Sequence, residues 1–64
     1  MLIDNETPTS DLLEVKLNDF ISDKFGNEGV VNKISINDSD EFWLFIFSLS
    51  NNKSIEITKI KNIC

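Results

Sequence analysis

Asp38, Asp40 and Glu41 crowd three carboxylates into four positions, and two carboxylates at close spacing can in principle serve as a general acid and a general base. Nothing in the chain completes a reaction around them. There is no His and no Arg, which removes the commonest general base, the commonest neutral-nitrogen metal ligand and the bidentate phosphate fork together. The one cysteine, Cys64, has no His to activate it and no second cysteine with which to form a disulfide or share a metal. Asp38-Ser39-Asp40 resembles the start of a calcium loop, but the sixth position is Trp43 instead of Gly and the twelfth is Leu49 instead of Glu. We therefore expect no enzyme, no catalytic residues, no metal site and no cofactor.

The residue types that remain are suited to binding. Trp43, Phe45, Phe47 and Leu49 alternate along one stretch, and aromatic side chains supply anchor energy where two proteins meet. Asp19 and Asp23 stand four apart, which on a helix makes an acidic ridge able to dock on a basic surface. Charge is unevenly spread: residues 1–41 carry ten acids against three Lys, whereas residues 42–64 carry one acid against three Lys, for a net charge of −5. Binders of nucleic-acid backbones normally have the opposite sign, so nucleic acid is an unfavoured partner and a basic protein surface a favoured one. Stacking of unpaired bases on Trp43, Phe45 and Phe47, with Lys33, Lys59 and Lys61 on phosphates, is the alternative.

These residues must be held by a small domain. Sixty-four residues bury only about 60% of the surface that their unfolded chain exposes, which favours a partner or a second copy, and we expect a homodimer. The residues 42–49, Phe-Trp-Leu-Phe-Ile-Phe-Ser-Leu, are too few to cross a bilayer and suit a strand contacted on both faces, so no membrane association is expected. The N-terminus has neither a basic segment nor an apolar one of the secretory kind, and with a single cysteine this points to the cytoplasm of a bacterium or host cell.

The expected architecture is one α+β domain spanning 1–64. It comprises a flexible arm over 1–6, a helix over 7–25, and strands over 30–37, 41–50 and 53–61 in an antiparallel meander whose second strand is central. Thr7-Pro8 suits a helix start. Leu13, Leu17, Phe20 and Ile21 follow helical spacing, and Gly26 supplies a left-handed stop. A five-residue loop before residue 42 and a two-residue turn at Asn51-Asn52 set Ile36 opposite Phe42 and Ile46 opposite Ile57. On that register the helix covers the face bearing Phe42, Leu44 and Ile46, and the aromatic stripe lies open as a surface for self-association or docking.

No Ala, Arg, His, Gln or Tyr occurs, and Ile, Asn, Ser and Lys are heavily used, as in products of AT-rich genomes. In character the chain is similar to the small acidic inhibitors of host or defence proteins carried by phages and mobile elements. That likeness is compositional and transfers no residue roles. The function expected is that of an acidic, non-enzymatic protein-binding module that inhibits or regulates a larger basic or nucleic-acid-binding protein. A purely structural homo-oligomeric subunit is a further alternative.

Overall fold

The computed structural model describes residues 1–61; Cys64 lies outside them. A short helix α1 (Thr9–Leu13) precedes four strands, β1 (Phe20–Ser22), β2 (Glu28–Asp38), β3 (Phe42–Leu49) and β4 (Ser54–Ile60). The class is α+β. Neighbouring strands are antiparallel in the order β1-β2-β3-β4, so the sheet has four strands where the sequence predicts three. Among the described residues, no helix is long and apolar enough to cross a membrane.

The helix expected over 7–25 is confined to its first half. After Leu13 the chain turns: Asn18 takes a left-handed conformation with φ 75°, and the Asp19 carboxylate accepts the Lys16 N–H at 2.9 Å. Asn and Asp bond nearby backbone and tolerate positive φ, so a segment dense in them competes against helix. Burial confirms the difference. Of the expected stripe only Ile21 is buried while Leu13, Leu17 and Phe20 are about half exposed, and Leu12 and Val15, outside that stripe, are buried. Gly26 does take positive φ, at 88°, but in the β1–β2 connection and not at a helix end.

The N-terminal arm is not free. Ile3 donates its N–H to the Ser22 carbonyl, Ser22 donates to the Met1 carbonyl, and Leu2 forms a parallel bridge with Ser22. The arm thereby covers the outer edge of β1 and fully buries Ile3. A buried isoleucine with two backbone bonds beside it is enough to tie down a terminus.

Both hairpin registers differ from expectation, and each differs by an odd number of residues. Ser39 donates its N–H to the Phe42 carbonyl, leaving Asp40-Glu41 as a two-residue turn that sets Ile36 opposite Phe45 and Ile34 opposite Phe47. Leu49 donates to the Lys53 carbonyl around Ser50-Asn51-Asn52, with Asn52 at φ 66°, which sets Phe45 opposite Ile57 and Phe47 opposite Ile55. Three-residue hairpin loops commonly end on a left-handed residue, and Asn accepts that role. An odd slip exchanges the faces of a strand. A bulge between Val31 and Lys33 then resets β2, so that Val31 and Ile34 share the stripe's face.

Candidate interaction surface

The stripe Trp43, Phe45, Phe47 and Leu49 forms the centre of the core, which corrects the expectation that it lies open. Phe45 and Phe47 are fully buried, Leu49 nearly so, and Trp43 is half-buried against the same cluster. Adjacent rings stack, with centroids 6.0 Å apart for Trp43–Phe45 and 6.3 Å for Phe45–Phe47. Ile3, Leu12, Val15 and Ile21 close over them from the N-terminal third, while Ile55 and Ile57 flank them on β4. The physical reason lies in the register: it places isoleucines of both neighbours beside the largest side chains, which buries more apolar surface than the expected pairing. Phe45 and Phe47, so enclosed, present no face on which a base could stack.

Among the described residues, the sheet's other face is the uncovered one. Phe42, Leu44, Ile46 and Ser48 run down its centre and are each only partly buried. Ile60, opposite Phe42, is 76% exposed. Lys33, opposite Ser48, stands on the β2 side, and Glu56, opposite Ile46, on the β4 side. Beyond Ser48, the cross-strand pair Phe20 and Val30 extends the apolar surface. Sequence reasoning assigned this face to the helix. The signal that identifies it is pairing: the turn at Asp40-Glu41 brings Ile34 and Ile36 beside Phe47 and Phe45.

Asp19 and Asp23 lie on either side of β1 and form no helical ridge. Each carboxylate shapes a turn. Asp23 accepts the Phe25 N–H at 2.9 Å, the Asn27 N–H at 2.9 Å and the Asn27 side-chain amide at 3.0 Å. The Asn27 side-chain amide does most to lower the Asp23 pKa; desolvation opposes it, and the Asn27 and Phe25 backbone donors and the positive charge of Lys53 add to the lowering, so Asp23 lies below the ordinary carboxylate range.

Asp38 and Glu41 belong to the end of the β2–β3 hairpin. Asp38 pairs with Lys61, whose ammonium also lies 4.8 Å from the centre of the Trp43 ring. The Glu41 carbonyl accepts the Lys61 N–H at 2.8 Å. These contacts fasten the end of β4 to the hairpin and leave Asp38 engaged. Among the described residues, no group of three or more His, Cys, Asp or Glu could hold a metal ion. Compared with known proteins, the chain matches no family model, no curated protein and no solved structure.

Proposed function

We propose that this chain is a small, acidic, non-enzymatic protein-binding module that inhibits or regulates a larger protein with a basic or nucleic-acid-binding surface, in the manner of phage and mobile-element inhibitors. The observation carrying this is the uncovered sheet face: Phe42, Leu44 and Ile46 remain partly exposed, with Ile60 beside them, while the opposite face is filled from within the chain. Contiguous exposed apolar surface on a small domain marks an interaction site. The partner's expected basic character follows from the net charge of −5, which speeds encounter with positive surfaces and repels negative ones. The working compartment is the cytoplasm. The test is affinity capture from the source cell with wild type and Leu44→Asp in parallel. We expect one stoichiometric basic partner held by the wild type, released by moderate salt and lost with Leu44→Asp; equal capture by both proteins overturns the assignment of this face.

A homodimer through the same face is the second reading, and the flanking charges favour it. Lys33 and Glu56 stand on opposite sides of the apolar row. A two-fold axis along the strands would lay the β2 side of one copy over the β4 side of the other, bringing opposite charges together. Sedimentation equilibrium decides between the two: a wild-type dimer reduced to a folded monomer by Leu44→Asp assigns the face to self-association, and a wild-type monomer leaves it to the partner.

A further inference from the structure

The edge of β4 meets no strand among the described residues. Leu49 donates to the Lys53 carbonyl at one end of the β3–β4 ladder and Lys61 donates to the Glu41 carbonyl at the other. Antiparallel pairing alternates, so residues 53, 55, 57, 59 and 61 direct their backbone groups to β3. Ser54, Glu56, Thr58 and Ile60 direct theirs outward. Such a row is a template for another strand unless it is short, bulged, covered or interrupted by Pro, and seven-residue β4 shows neither bulge nor Pro.

Beside this edge lies a cleft of about 260 Å³ between β4, the N-terminal arm and the β1–β2 connection. Its buried walls are Ile3 and Ile57, and the exposed ring of Phe25 forms another. Its charged residues are Asp4, Asp23 and Glu56 against Lys24 alone. The cleft is mainly polar, and its two isoleucines and the Phe25 ring, beside carboxylates that outnumber the lining cation, suit an aliphatic stem ending in a cation.

We propose that β4 takes up an extended segment of a partner protein as an added strand, and that one Lys or Arg side chain of that segment enters the cleft beside Asp4 and Asp23. The outward N–H and C=O groups of Ser54, Glu56 and Thr58 supply the ladder, and alternate side chains of the incoming segment turn toward Ile57 and the cleft. The inference rests on the reading of the chain as a protein-binding module, but it uses the sheet edge and is independent of the outer face. It also fits the partner's expected basic character with a specific side chain.

The probe is a blocked pentapeptide, acetyl-Val-Thr-Lys-Thr-Val-amide, titrated into the full chain while backbone amide shifts and hydrogen exchange are followed. We expect the Ser54, Glu56 and Thr58 amides to shift and their exchange to slow about tenfold at saturation, since each gains a backbone bond. Two further peptides, N-methylated at Val and Lys or at both Thr, separate strand addition from charge attraction: one loses at least about tenfold in affinity and the other keeps it. Replacing Lys in the peptide by norleucine weakens binding severalfold. Thr58→Pro removes an outward N–H without touching the β3 ladder, so it should fold and bind more weakly. No change at these amides with millimolar peptide, or equal affinity of both methylated peptides and the parent, overturns the proposal. Because the probe needs no cellular partner and Leu44→Asp leaves the edge intact, this failure is distinct from failure of the outer-face reading.

Discussion

At the scale of single residues, the side chains that looked most like binding chemistry serve structure. Phe45 shows this best, with no exposed surface and a ring stacked between Trp43 and Phe47. Truncating a buried Phe removes its transfer energy and leaves a cavity, which together cost about 3–5 kcal/mol. A domain of this size has little more than that in total. Phe45→Ala is therefore expected to be largely unfolded by far-ultraviolet circular dichroism, while Phe45→Leu folds with a lower urea midpoint. Asp23 makes a parallel case among charged residues. Its pKa in the folded state lies below the ordinary value, so the Asn27 and Phe25 bonds contribute stability above the carboxylate range and lose it as pH falls through the folded value. Asp23→Asn should lower the urea midpoint at pH 7 and approach the wild type as pH falls below the folded-state value, where both side chains are neutral. Equal midpoints at pH 7 would show that the turn does not depend on this carboxylate.

At the scale of elements, strands were legible and their registers were not. Alternating apolar residues bounded by Gly, Asn and Asp place β2, β3 and β4 to within about two residues of their observed ends. Which face each strand turns inward depends on where the polar run Asn37–Glu41 bends, and Asn37, Asp38, Ser39 and Asp40 all suit a turn. Cross-strand packing selects the face, because the observed register sets Ile34, Ile36, Ile55 and Ile57 beside the aromatic stripe and the expected one does not. The helix was overread for a related reason. Leu13, Leu17, Phe20 and Ile21 fit a helical period, but the Asn and Asp between them make better turns than helix, and the arm and α1 already fill the core from this end. Asn52 carries the testable consequence. Its left-handed φ of 66° permits the three-residue loop, and a β-branched residue there is strained by about 1–2 kcal/mol. Asn52→Val should be destabilised by that order and Asn52→Gly should be close to the wild type, as measured by urea unfolding. Similar stability for the two variants would mean that the loop does not set the register through this residue.

For the whole molecule, electrostatics and burial pull in different directions. The core draws on the arm, α1 and all four strands, yet it is thin: Leu2, Leu17, Phe25 and Ile60 each remain more than half exposed. The surface around it is strongly acidic, with a sequence pI near 4.3, so at neutral pH its carboxylates repel one another. Against this stands one ion pair among the described residues, Asp38–Lys61, and a partly exposed pair contributes only about 0–1 kcal/mol. Salt screens both terms, and repulsion summed over an excess of five negative charges outweighs a single pair. Raising sodium chloride from about 10 to 300 mM, which shortens the screening length from roughly 30 to under 8 Å, should therefore raise the urea midpoint at pH 7. The same addition should weaken capture of a basic partner, because steering and close contact between opposite charges are screened together. The two effects have opposite signs and one cause. A midpoint that falls with salt would mean that Asp38–Lys61 and its contact with Trp43 hold the sheet end more strongly than the acidic surface strains the fold, and Lys61→Met would then remove most of the salt dependence.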